Sequence, residues 1–343
     1  MPSLARIVKR RLNVLSDRLF TVPVVVLMPH SRCNARCLMC DIWKANENKV
    51  ELSKEDLMPH VEAMRALGVE RVVFSGGEAL MHSNLFALTE MLAPLGVRMT
   101  LLSTGLTLEK HASDVGRWFD EVTLSLDGPP AIHDQIRNIP RAYERLSAGA
   151  HAAKAAGVPR VTGRCVVQRQ NFRFLEETIE AAKNAALDEI SFLPVDVSSE
   201  AFNRPGGWPD DRAEATALSI DEAFELRDRI EALIARHAIG QRYIAESPNR
   251  LRAIAQYFLA LRGATTQPET ICNAPWVSAV VEADGTVRPC FFHRALGSIR
   301  ESTLDQIVNS EDAIRFRRSL DVKRDPICSK CVCTLSVGPR TEV

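Results

Sequence analysis

From residue 22 onward the chain alternates short apolar runs with amphipathic stretches, and this alternation restricts its fold more than any other feature. Strand-like runs lie at 22–28 (VPVVVLM), 70–75 (ERVVFS), 97–103 (VRMTLLS), 121–126 (EVTLSL), 160–167 (RVTGRCVV) and 188–193 (DEISFL). Helical spacing occupies the stretches near 53–67, 84–95, 108–118, 141–156 and 172–186, with Ser53 and Asp56 as a start signal and Gly68 as a stop. Strands separated by helices of this length pair in parallel through crossover connections, and their largely apolar composition suits a sheet covered on both faces. Six such units fall short of the eight that close a barrel. The expected fold is therefore α/β, a partial (β/α)6 TIM-like barrel with an open side.

The rest of the chain is organised around that core. Residues 1–20 form an N-terminal amphipathic helix, 21–220 the barrel, 221–264 a helical connector with helices at 221–237 and 248–262, and 265–343 a small cysteine-rich domain. The 198–217 segment, with Pro205, Gly206, Gly207, Trp208 and Pro209, breaks the rhythm. It reads as a long loop that is either a substrate-facing lid or plain surface. Within 4–19, Leu4, Ile7, Val8, Leu12, Leu15 and Leu19 recur at helical spacing opposite Arg6, Lys9, Arg10, Arg11 and Arg18. Such a helix either lies on an anionic membrane surface or packs on the protein with its charges solvated.

Lys plus Arg (43) balance Asp plus Glu (43), so no overall field draws the chain to nucleic acid. No apolar run approaches the roughly 20 residues of a membrane span, and no signal peptide is recognisable, so a cytoplasmic location is expected. In that reducing compartment nine cysteines are metal ligands sooner than disulfides.

Three of them, Cys33, Cys37 and Cys40, follow the first strand with C-x3-C-x2-C spacing. Three thiolates on one short loop can converge on one metal centre. Zinc sites usually complete four protein ligands, and spacing alone leaves zinc open. On a [4Fe–4S] cluster, which usually takes four cysteines, three ligands leave one iron free for a small molecule. Further polar segments end the following strands. They are Ser75-Gly76-Gly77-Glu78, Ser103-Thr104-Gly105 and Ser125-Leu126-Asp127-Gly128, with Arg164 on the fifth strand. Strand C-termini are where parallel α/β barrels place active sites.

Taken jointly over residues 22–195, these segments resemble the radical S-adenosylmethionine (SAM) superfamily. The resemblance implies that Cys33, Cys37 and Cys40 hold a [4Fe–4S] cluster whose open iron binds SAM, and that reductive cleavage of SAM yields a 5′-deoxyadenosyl radical. It implies that Ser75, Gly76, Gly77 and Glu78 match the motif that binds the SAM amino group. Thr104, standing where many relatives have Asn, would make a polar contact to SAM; in the matching SLDG segment Ser125 would contact SAM, and Asp127 would either contact SAM or shape the loop. Arg164, if it faces the barrel, would pair with the SAM carboxylate. A flavodoxin- or ferredoxin-type reductant is implied as partner.

The last 72 residues hold Cys272, Cys290, Cys328, Cys331 and Cys333. Asp284-Gly285 between two strand-like runs signals a hairpin that brings Cys272 and Cys290 together, and Cys328 and Cys331 add a C-x2-C pair. The pattern resembles the SPASM/twitch extension of radical SAM enzymes. This implies a second, auxiliary [4Fe–4S] cluster on Cys272, Cys290, Cys328 and Cys331, with Cys333 spare or replacing Cys331. Structural zinc is the alternative. The expected substrate is a small or lipid-linked molecule, undergoing oxidation, epimerisation or C–C bond formation. A ribosomal-peptide maturase is the runner-up. An iron–sulfur electron carrier or redox sensor, or a zinc-stabilised binding protein, would explain the cysteines without the strand-end motifs.

Overall fold

The structure is a computed structural model that describes residues 3–236 and 243–343. Six parallel strands, β1 (Val24–Leu27), β2 (Arg71–Phe74), β3 (Arg98–Ser103), β4 (Glu121–Ser125), β5 (Arg160–Val167) and β6 (Ile190–Pro194), lie in sequence order across one sheet. Val25, Leu27, Val72, Phe74, Leu101, Val122 and Leu124 are fully buried along them, because crossover helices cover the outer face. The sheet does not close: β6 forms one end of the strand order. This is the partial barrel expected.

At the other end the sheet continues in a way local patterning does not disclose. β7 (Ser278–Val281) runs parallel to β1, with Val24 opposite Ser278 and Leu27 opposite Val281. β8 (Thr286–Arg288) then returns antiparallel, and β9 (Gly297–Ser298) follows it. The turn between β7 and β8 contains Gly285 at φ +90°, and the Asp284 carboxylate accepts from the Thr286 N–H at 2.9 Å. The C-terminal hairpin thus extends the barrel sheet and brings its cysteines beside β1.

Three local differences from the sequence reading have clear causes. The first helix, Leu4–Ser16, buries Arg10 and Asn13 and turns Leu4 (76% exposed), Val8, Leu12 and Leu15 (80%) outward. Arg10 donates to the carbonyls of Gly338 (3.0 Å) and Thr341 (2.5 Å) and pairs with Glu70; Asn13 donates to the carbonyls of Thr21 and Trp276, both at 2.7 Å. Anchoring is polar and the apolar stripe is free. Second, the 198–217 segment is not all loop, since Asp210–Thr216 is helical. Third, Pro130–Arg137 forms a helix where none was expected, starting on prolines that preset its first turn. The connector helices are Ile220–Arg236 and Pro248–Leu261; residue 237, the expected end of the first, lies outside the described residues.

Candidate active site and auxiliary cysteine site

The loop after β1 is held in place largely through its backbone. Asn46 clamps Cys33, donating to its carbonyl and accepting from its N–H, both at 2.9 Å. The Leu38 N–H bonds the Ile136 carbonyl at 3.0 Å, and the Arg36 N–H bonds that of Arg137 at 3.2 Å. This docks the loop on the end of the 130–137 helix. Cys37 is buried, Cys33 and Cys40 half-buried. Trp43 donates its indole N–H to the Cys40 carbonyl at 2.9 Å, and Met39 is buried in the core.

The turn after β2 lies against this loop. Glu78 N–H bonds the Arg32 carbonyl at 2.8 Å, and a Cβ on Gly77 would stand 2.0 Å from that carbonyl oxygen. Gly76 has φ +109° and would also crowd the His30 carbonyl. Both glycines are therefore required by close backbone approach. Glu78 is fully buried, and its carboxylate is taken up inside the protein: it accepts from the Ser103 hydroxyl (2.9 Å), the Thr104 N–H (2.7 Å) and the Thr104 hydroxyl (2.7 Å). Thr104 Oγ1 also lies 3.0 Å from Asn34 Oδ1. The cysteine loop, the Gly76-Gly77 turn and the end of β3 thus form one unit.

Other expected residues sit differently. Ser75 joins the turn to β1 through its N–H on the Leu27 carbonyl (2.8 Å). Ser125 and Arg164 face each other across β4 and β5, and Arg164 Nε donates to Ser191 Oγ at 3.3 Å. Among the described residues no hydrogen bond joins either to the cysteine loop. Asp127 is fully buried, pairs with Arg137 at 2.5 Å and accepts from the Val166 N–H at 2.8 Å. Arg137 in turn donates to Cys37 Sγ at 3.4 Å.

Asp41, Arg204 and Arg212, which the sequence reading passed over, join Trp208 in locking the 198–217 segment onto this loop. Asp41 accepts from Arg212 (2.6 and 2.7 Å) and from the Trp208 indole N–H (2.8 Å). Burial pushes the Asp41 carboxyl up, but the bonds from Arg212, Trp208 and Lys44 outweigh it and hold the carboxyl below its usual range. Arg204, buried against Trp208, donates to the Met39 carbonyl at 2.5 Å and pairs with Asp196 at 3.2 Å. The segment is a fixed cover over the cysteine loop, not plain surface. Its sequence signal is Trp208 flanked four residues away on each side by Arg204 and Arg212 in an otherwise turn-rich stretch.

Beneath the cover lies a cavity of about 1010 Å³. Met28, His30, Gly76 and Gly77 line its barrel side. Phe291, Phe292 and Cys331 line the side formed by the C-terminal domain, and Phe202 of the cover stacks edge-on against Phe291 with centroids 4.9 Å apart. Cys331 is the one cysteine in its lining, and the first cysteine loop borders it through the flanking residues Ser31, Ile42 and Ala45.

All nine cysteines are unpaired. Burial pushes the Cys33 thiol well above its ordinary range and Cys40 up to about 11, each further raised by its cysteine neighbours. Burial acts the same way on Cys290, pushed up to about 11, and on Cys328 and Cys331, with Cys272, Cys290 and Cys333 among the mutual neighbours. Ionising such thiols needs a metal's positive charge. The spacing of the sulfurs bears on which metal. Four thiolates around one zinc stand about 3.8 Å apart, given Zn–S bonds of about 2.3 Å. Among the described residues, the one triplet of potential ligands lying within 4.8 Å of one another is His293, Asp325 and Cys328, and no cysteine triplet qualifies. Within each set the cysteines are near enough to raise one another's thiols, so each set can converge on one metal centre, and in a cubane each thiolate binds a different iron. Cys165, buried beside Asn171 in β5, belongs to the core.

Comparison with known proteins agrees with this arrangement. Residues 27–191 match the Radical SAM superfamily, and residues 272–332 match SPASM, an iron–sulfur cluster-binding domain. Pre-heme d1 synthase of Dinoroseobacter shibae is 30% identical over 212 residues, covering 59% of this chain and 51% of that protein, so the match spans about half of that relative's length. Fe-coproporphyrin III synthase of Methanosarcina barkeri is 25% identical over 301 residues, covering 83% of this chain and 73% of that protein. The structure of Streptococcus suis SuiB bound to S-adenosylmethionine shares the fold with a TM-score of 0.64 at 13% identity, covering 94% of this chain and 74% of that one. The two domains imply a SAM-binding [4Fe–4S] cluster and an auxiliary cluster.

Proposed function

This chain belongs to the radical SAM superfamily and ends in a SPASM iron–sulfur domain, and from that premise we propose an assignment of its two cysteine sets. Cys33, Cys37 and Cys40 hold the SAM-binding cluster; Cys272, Cys290, Cys328 and Cys331 hold the auxiliary one. When bound, the cluster and SAM supply a 5′-deoxyadenosyl radical that takes hydrogen from a substrate. The chain's own residues orient and enclose that chemistry. The Gly76-Gly77 turn lines the cavity and would receive the methionyl end of SAM, and Glu78 holds Ser103 and Thr104 in place behind it. Thr104, Ser125 and Arg164 complete the surroundings of SAM, while Cys333, which is exposed, is spare.

The observation that carries this reading is the cavity that lies between the Gly76-Gly77 turn and Cys331. Its volume of about 1010 Å³ is at the upper end of small-molecule sites, roughly 300–1,000 Å³, and phenylalanines line the wall next to Cys331. We assign it to a small-molecule substrate that undergoes oxidation, epimerisation or C–C bond formation. The buried reduced thiols and the need for a flavodoxin- or ferredoxin-type reductant suit a cytoplasmic enzyme.

The outward stripe of the first helix favours peripheral membrane contact as a separate property. Leu4, Val8, Leu12 and Leu15 face away from the protein with Lys9, Arg11 and Arg18 beside them. Among the described residues no helix is long and apolar enough to cross a membrane. The helix is anchored on Thr21 and Glu70, which precede β1 and β2, whereas the cavity lies beyond the opposite ends of those strands. A bilayer under this helix would not open into the cavity, which favours a free substrate over a lipid-linked one.

Iron analysis tests the assignment. Anaerobic reconstitution of the full chain should load about eight irons. The Cys33→Ala/Cys37→Ala/Cys40→Ala variant and the Cys272→Ala/Cys290→Ala variant should each keep about four. Full loading of either variant, or zinc in place of iron, would remove the assignment.

A further inference from the structure

The helix Pro130–Arg137 brings a buried cation to a cluster cysteine. It begins just after Asp127-Gly128, and its last residue, Arg137, turns back under the cysteine loop. Arg137 Nη1 donates to Cys37 Sγ at 3.4 Å, while Nη2 pairs with Asp127 Oδ2 at 2.5 Å. Asp127 has no exposed surface, and Arg137 is 7% exposed. Asp127 is itself fixed from three sides. Its Oδ1 accepts from the Val166 N–H (2.8 Å), its carbonyl accepts from Asn171 (2.9 Å) and its N–H donates to His133 Nδ1 (3.1 Å). The helix end also accepts the N–H groups of Arg36 and Leu38, so the guanidinium and the cysteine loop cannot move independently. A guanidinium is not deprotonated in proteins, so Arg137 brings a full positive charge to this contact.

A buried ion pair aimed at a sulfur is an expensive arrangement for packing alone, since desolvation offsets much of its attraction. At an iron–sulfur ligand it has a specific consequence. Positive charge and N–H···S bonds favour the reduced, more negative cluster and raise its potential. We propose that Arg137, oriented by Asp127, is a positioning residue that sets the reduction potential of the SAM-binding cluster through Cys37. This deepens the reading of Cys37 as a cluster ligand and rests on it. Asp127 accordingly acts through Arg137 and not by touching SAM.

The test is an EPR-monitored redox titration of the anaerobically reconstituted full chain, following the signal that changes on adding SAM. At a poise equal to the wild-type midpoint, Arg137→Met with full iron should show a reduced-to-oxidised ratio lower by roughly tenfold, the scale of a lost hydrogen bond to a charged group. Asp127→Asn should shift the ratio the same way by less, and Arg137→Lys should restore part of it. An unchanged ratio in iron-loaded Arg137→Met overturns the proposal. If that variant does not load iron, Arg137→Lys decides: a lowered ratio supports the role, and a wild-type ratio overturns it. Cys37→Ala separates the two levels of the argument. Retention of the SAM-responsive signal in that variant would overturn the ligand reading itself.

Discussion

At the residue scale, much of the site is backbone brought close to backbone. Gly77 leaves no room for a side chain, because its would-be Cβ meets the Arg32 carbonyl one residue before Cys33. Gly77→Ala should displace that carbonyl and cost about 2 kcal/mol, as overpacking usually does, while lowering iron loading at the first cysteine set. Chemical denaturation with parallel iron analysis measures both, and wild-type values would contradict the close approach. Glu78 shows what a motif leaves unsaid. The sequence marks the acid, but its engagement by Ser103 and Thr104 depends on β3 lying beside β2. Arg137 was invisible for a similar reason: it lies 100 positions from Cys37 and carries no local pattern.

At the scale of elements, the strands were legible because a sheet covered on both faces writes itself as short apolar runs. The observed β5 coincides with the expected 160–167, and the other strands fall within or near their predicted runs. The 130–137 helix was not legible, since His133, Asp134, Gln135 and Arg137 break an apolar stripe and Pro129-Pro130 reads as a turn. The first helix was legible as a helix but not in its orientation. Its buried face is chosen by carbonyl groups of Gly338, Thr341 and Trp276, far along the chain. The free stripe makes a prediction at this scale. Leu4→Glu with Leu15→Glu should abolish flotation with vesicles containing phosphatidylserine without changing the fold seen by circular dichroism. Equal flotation of the variant and the wild type would exclude this helix as the contact.

At the scale of the whole molecule, β7 beside β1 is the connection that matters. It continues the barrel sheet into the SPASM domain, so the Gly76-Gly77 turn and Cys331 line one cavity covered by the segment that Asp41 and Arg204 hold down. Pairing between residues 24 and 278 is a long-range event that no window of sequence reports, which is why the two cysteine sets read as separate motifs. On the proposed assignment, the first set holds the cluster that cleaves SAM. Anaerobically reconstituted, dithionite-reduced wild-type chain incubated with SAM should form 5′-deoxyadenosine, and the Cys33→Ala/Cys37→Ala/Cys40→Ala variant should form none. Equal product from the two proteins, or an iron-loaded wild type that binds no SAM, would contradict it.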